Sequence, residues 1–129
     1  MPIRVLVAED NLLMRSEIAR MLRDDLNLEV IGEAENFAQT LELVAALKPD
    51  ILVLDLHMPD EKNYSPEVVK QQVLQDCGCI LGISVWNDQD AKILADKYGA
   101  KFLVDKTNIY SQLIPSIKVF CHSLSSPCP

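Results

Sequence analysis

Two apolar runs of this sequence close on carboxylates. One extends from Ile51 to Leu54 and ends at Asp55, with Pro59 following closely; the other extends from Ile3 to Ala8 and ends at Glu9 and Asp10. Two further β-rich runs also end in polar groups. Cys79 to Ile83 meets Ser84, and Lys101 to Val104 meets Asp105 and Lys106. An acid taken out of water is costly unless partners surround it, so a carboxylate at the end of a buried strand calls for company. These strand ends are where that company has to come from.

Three carboxylates brought within a few ångströms repel one another unless a cation lies among them. Oxygen ligands in small number suit Mg²⁺, which keeps several waters and often shares its shell with a phosphoryl oxygen. Asp55 then has a role as nucleophile, since carboxylates form covalent acyl-phosphates. The metal and Lys106 would neutralise charge on a transferred phosphoryl group, and the Ser84 hydroxyl would donate a hydrogen bond to it. No single residue carries this reading. The joint pattern does, with each polar group closing a different buried strand.

The elements that must position these groups follow from periodicity and caps. Runs at 3–8, 28–33, 51–55, 79–84 and 101–105 read as strands, near-continuous in apolar residues as expected of a sheet buried on both faces. Asn11 caps a helix with Met14, Ile18, Met21 and Leu22 at helical spacing. Asn36 caps a second, with Phe37, Leu41, Val44 and Ala45 on one face and a stop at Lys48 and Pro49. After a loop from Leu56 to Tyr64, Ser65 and Pro66 open a third helix that carries Val69 and Val73. Asn87 or Asp88 caps a fourth, with Ala91, Leu94, Ala95 and Tyr98 on one face and Gly99 at its end. A fifth carries Leu113, Ile114, Ile117 and Cys121; Pro115 lacks an N–H, so this helix either begins near Ser111 or kinks at Pro115.

Five alternations of strand and helix predict an α/β, doubly wound (βα)5 three-layer sandwich with a parallel sheet and right-handed crossovers. Ligands of such sheets bind beyond the carboxyl ends of the strands. If the first and third strands are neighbours, Glu9, Asp10 and Asp55 converge there, with Ser84 and Lys106 nearby.

At 129 residues the chain is sized for one domain, expected over 1–122 with a flexible tail over 123–129. Its net charge of −7, with twelve scattered Lys and Arg, argues against nucleic acid as a direct partner. No apolar run approaches the roughly 20 residues of a membrane span. The start at Met1 lacks the zones of a signal peptide, so a cytoplasmic location is expected, with no membrane partner. Cys77 and Cys79 have no second Cys/His pair at matching spacing, while Cys121 beside His122 falls on the last helix and Cys128 in the tail. Reduced thiols are the simpler reading.

Together, Glu9-Asp10, Asp55 with His57, Met58 and Pro59, Ser84, and Gly99-Ala100 before Asp105-Lys106 identify a resemblance. The sequence resembles a receiver domain of the two-component response regulators, of the stand-alone chemotaxis type, from Ile3 to about Phe120. The resemblance implies a flavodoxin-like sheet of order 2-1-3-4-5. It implies Asp55 as phosphoacceptor, with Mg²⁺ held directly by Asp10 and Asp55, through water by Glu9, and by the backbone carbonyl of His57. It further implies that Lys106 contacts the phosphoryl group and that Ser84 swings towards it. The implied donor is a phosphohistidine on a sensor histidine kinase or phosphotransfer protein. The output would be a two-state shift on the face of the fourth helix, fifth strand and fifth helix, offered to a downstream protein or to a second copy.

The rim departs from the family pattern. The loop from Asp60 to Pro66 has no glycine, Val85 and Trp86 follow the switch hydroxyl, and Leu103 stands where an aromatic usually flips, with Phe102 one place earlier. Thr107 replaces the usual proline, and a cis bond before it would cost about 2.5–4 kcal/mol. Three readings follow: a phosphorelay receiver catalysing only its own phosphorylation and dephosphorylation, a phosphorylation-independent interaction module, or an aspartyl phosphohydrolase. The last lacks a second acid two residues beyond Asp55, where His57 stands.

Overall fold

The computed structural model describes residues 2–125, with side chains through residue 120. Five strands and five helices alternate: β1 (Ile3–Ala8), α1 (Leu12–Arg23), β2 (Leu28–Ala34), α2 (Phe37–Leu47), β3 (Ile51–Asp55), α3 (Pro66–Leu74), β4 (Cys79–Ser84), α4 (Gln89–Lys97), β5 (Ala100–Asp105) and α5 (Ile109–Ser125). Short 3-10 turns occupy Glu61–Asn63 and Lys106–Asn108. All strand pairs are parallel and the order is β2-β1-β3-β4-β5. This is the flavodoxin-like arrangement that the resemblance implied.

Strand parity divides the core into two layers. Val5, Val7, Val53, Leu81 and Ile83 meet Ile18, Leu22, Leu113 and Ile117 on the side of α1 and α5. Leu6, Ala8, Leu52 and Leu54 meet Phe37, Val44, Val69, Val73 and Tyr98 on the side of α2, α3 and α4. Register is therefore strongly specified, because a one-residue slip would send each set to the wrong layer.

Caps explain the helix limits. The side chains of Asn11, Asn36, Ser65 and Asp88 each accept a backbone N–H from the first turn of the helix they precede. α2 ends with Lys48 in the left-handed region (φ 49°), and Arg4 donates to the freed carbonyls of Leu47 (2.7 Å) and Lys48 (2.8 Å). α4 gives way at Gly99 (φ 77°), where a Cβ would lie 2.9 Å from Lys70 Cγ.

Two expectations need correction. Ala45 is exposed, and Thr40 takes its place in the core, its hydroxyl donating to Asn36 O at 2.7 Å. Of the two courses open to α5, the late start near Ser111 is not found: the helix begins at Ile109 and continues past Pro115. Pro115 and Ser111 both lie on the exposed side, so water can satisfy the carbonyl that loses its partner. No cis peptide occurs among the described residues, and the bond between Lys106 and Thr107 is trans. The side chains of Cys121 and His122, Cys128 itself, and most of the expected tail lie outside the described residues; Cys77 and Cys79 are buried free thiols.

Candidate functional site

β1 and β3 are hydrogen-bonded neighbours, with Ala8 opposite Leu54, so Glu9, Asp10 and Asp55 leave the sheet at the same edge. One oxygen from each of these three acids lies within 4.8 Å of the others. Glu9 is fully buried, Asp55 is 2% exposed, and Asp10 is exposed at the mouth of the cluster. β5 reaches the same edge one strand beyond β4, with Asp105 opposite Ser84. The chain then turns Lys106 inward, placing its Nζ 2.7 Å from Glu9 Oε1 and 3.3 Å from Asp55 Oδ2.

The turns that follow the strands orient the acids. The Asn11 N–H donates to Glu9 Oε2 (3.0 Å), while the Asn11 side chain caps α1. The His57 N–H donates to Asp55 Oδ1 (2.9 Å). Arg15, on α1, donates from Nη1 to the backbone carbonyl of Glu9 (2.8 Å) and pairs through Nε with Glu33 on β2 (3.3 Å). Sequence reasoning missed Arg15. Its signal was a basic residue in helical register with the buried Ile18, Ala19 and Leu22.

The electrostatics are those of a site short of positive charge. Burial, above all, pushes the Asp55 carboxyl up to about 8; the Glu9 charge and the Asp10 side chain add to this, while the His57 N–H and Lys106 oppose it. Burial acts to raise Asp10 too, but hydrogen bonds with Asp55 and Glu9 hold it below the usual carboxylate value. Burial works against the Lys106 charge, yet Glu9 and Asp55 together raise its pKa. The site therefore disfavours ionised Asp55 unless a cation balances its charge.

A divalent metal fits this donor set. Glu9 Oε1 is buried and has the Lys106 ammonium 2.7 Å away. All the candidate donors are oxygens, which suits Mg²⁺ better than softer-ligand metals.

Ser84 stands apart from this group. Its hydroxyl is buried at the end of β4 and accepts the Trp86 N–H at 3.1 Å. Val85 and Trp86 are about half exposed, at 52% and 56%. The His57 and Trp86 rings meet edge to face, with centroids 5.3 Å apart, and His57 Nδ1 lies 3.4 Å from Glu61 Oε2. A recess of about 250 Å³ adjoins them, lined by His57, Trp86, Asp88, Asp90, Ala91 and Leu94 and by none of the three acids. Asp60 anchors the glycine-free loop after β3. Its two oxygens accept the Phe37 N–H (2.9 Å) and the Ala38 N–H (3.1 Å), tying the loop to the start of α2. Phe102 and Leu103 face opposite layers, Phe102 towards α5 and Leu103 towards Tyr98.

Comparison with known proteins gives a consistent result. The family described as response regulator receiver domain matches residues 5–118. The transcriptional regulatory protein PdtaR of Mycobacterium tuberculosis is 32% identical over 120 residues, covering 92% of this chain and 56% of that protein. The chain thus spans little more than half the length of this curated relative. The signal receiver domain of NarL from Mycobacterium tuberculosis superposes with a TM-score of 0.80 at 26% identity, covering 95% of this chain and 97% of that one. A chain from the complex of the CheA3 P1 domain with CheY6 from R. sphaeroides shares the fold, with a TM-score of 0.75, 23% identity, and coverage of 92% and 95%.

Proposed function

This chain belongs to the response regulator receiver domain family, and on that premise we propose that it accepts a phosphoryl group on Asp55 from a phosphohistidine donor. An Asp55 carboxylate oxygen attacks phosphorus as the donor P–N bond breaks, and the donor imidazole leaves with that electron pair. One observation carries the reading: Lys106 Nζ bridges Glu9 (2.7 Å) and Asp55 (3.3 Å) at the point where three acids meet. Asp10, Asp55, Glu9 and the backbone carbonyl of His57 would hold Mg²⁺. When bound, Mg²⁺ supplies the positive charge that favours ionised Asp55 and offsets charge on the phosphoryl oxygens. Lys106 can then turn its ammonium from the carboxylate to the phosphoryl group. Ser84 Oγ accepts the Trp86 N–H and keeps its own proton to donate to a phosphoryl oxygen.

The donor is read as a sensor histidine kinase or phosphotransfer protein, a pairing supported by the likeness to a complex holding a CheA3 P1 domain and CheY6. Incubation with Mg²⁺ and a small acyl phosphate, followed by intact-mass analysis, tests the reading. One phosphoryl adduct is expected on the wild type and none on Asp55→Asn. An adduct of equal yield on both would refute the assignment.

A second reading, docking that ignores phosphorylation, is favoured by Leu103. It packs into the layer of Tyr98 and offers no ring to swing, while Phe102 faces α5. A partner that binds Asp55→Asn and phosphorylated wild type equally would support it.

A further inference from the structure

We propose that Asp105 and Thr107 form a side-chain clamp that positions Lys106 for its work on Asp55, in place of a rigid ring at residue 107. The inference rests on the phosphoacceptor reading for its catalytic consequence, though not for its geometry. Asp105 ends β5 in extended conformation (φ −72°, ψ 125°), and Lys106–Asn108 turns at once into a 3-10 helix. A single oxygen makes that turn. Asp105 Oδ1 accepts both the Thr107 N–H at 2.9 Å and the Thr107 hydroxyl at 2.8 Å.

The clamp brackets Lys106, whose backbone lies between the two residues that hold each other. The ammonium is thereby delivered between Glu9 and Asp55 although the turn lies at the rim, where Thr107 itself is exposed. Lysine has a long flexible stem, and a fixed backbone removes part of the freedom it would otherwise lose on pairing. Proline at 107 would do the opposite here. It removes the N–H that Asp105 binds, and it disfavours the helical conformation that Lys106 adopts just before it. Serine keeps both donors, and valine keeps only the backbone one.

Two measurements separate the clamp from the function it serves. With saturating Mg²⁺ and a small acyl phosphate, Thr107→Val should lower the maximal rate of Asp55 modification about five- to tenfold, the kinetic equivalent of one hydrogen bond. Thr107→Pro should lower it further and Thr107→Ser should restore it, with KM for the donor little changed in each. A Ser variant as slow as Val, or a loss confined to KM, would overturn the proposal. The second measurement needs no phosphorylation. In metal-free urea titrations, Thr107→Val should lower the midpoint in the wild-type background but not in Lys106→Met, because the clamp then has nothing to aim. Equal losses in both backgrounds would show that it only stiffens the loop. If wild type takes no phosphoryl group, the function reading fails while this cycle still decides the clamp.

Discussion

Replacing Asp55 by asparagine should make the metal-free protein more stable, and increasingly so as pH rises. The Asp55 carboxyl sits at about 8 in the fold against 3.8 for a free side chain. Between those values the folded chain binds a proton that the unfolded chain has released, so this group's contribution to stability falls as pH rises from about 4 to about 8. Above that range the penalty is complete and constant. At about 1.36 kcal/mol per unit, the span from pH 5 to pH 8 corresponds to at most about 4 kcal/mol. One feature of the site reduces it: the Lys106 ammonium can move closer as Asp55 ionises. Asparagine keeps an oxygen for the His57 N–H and, like protonated Asp55, offers Lys106 a neutral partner. We expect the stability of Asp55→Asn relative to wild type to increase by about 2 kcal/mol between pH 5 and pH 8. Urea titrations in chelator at the two pH values measure it directly. A pH-independent difference, or a wild type that gains on the variant as pH rises, would refute the electrostatic account of the site. Millimolar Mg²⁺ should then stabilise wild type at pH 8 by RT ln(1 + [Mg²⁺]/Kd) and leave Asp55→Asn nearly unmoved.

Other parts of the site make separate predictions. Lys106→Met strips the buried Glu9 of its opposing charge and should cost about 3 kcal/mol by urea titration near neutral pH; a loss below that of an ordinary surface substitution would contradict the pairing. Asp60→Ala frees two N–H groups at the start of α2, with an expected loss of about 1 kcal/mol; amide exchange at Phe37 and Ala38 should quicken while β3 amides stay protected. Val85→Ala with Trp86→Ala opens the rim beside His57 and should shorten the phosphorylated lifetime of Asp55 roughly threefold or more. An unchanged decay rate after rapid donor removal would show that these side chains do not shield the acyl phosphate.

The layers of the fold were legible because strand parity and caps are local signals. Ile51 to Leu54 cannot be placed on a polar surface, and alternation then assigns Leu52 and Leu54 to one layer and Ile51 and Val53 to the other. The acids were legible for a related reason: each closes such a strand, so its position follows from the strand's. Thr40 was missed because its hydroxyl is satisfied by its own helix, at Asn36 O, which lets a polar residue take a core position. Of the two courses open to α5, the one through Pro115 is adopted because proline's missing donor costs little where the freed carbonyl faces water. Asp60 left no trace at all. Its partners Phe37 and Ala38 lie 23 and 22 residues away, and no spacing rule reports a carboxylate that caps a helix across a loop.

The same distinction explains why the centre of the site follows the family and its rim does not. Lys106 must reach two acids whose places are fixed by β1 and β3, and few geometries of the sheet edge permit that. The turn that delivers it is under a weaker constraint: any device that holds Lys106–Asn108 in a helical turn will serve, and Asp105 with Thr107 is such a device. Ser84 is constrained differently again. Its hydroxyl accepts the Trp86 N–H in the turn before α4 and still has a proton to donate. Leu103 has no polar group to exchange and is packed against the layer of Tyr98. The turn after β4 thus carries a polar pair, Ser84 and the Trp86 N–H, whereas Leu103 offers only apolar packing. Under the receiver reading, the turn between β4 and α4 is accordingly the part of this molecule best placed to register a charge placed on Asp55.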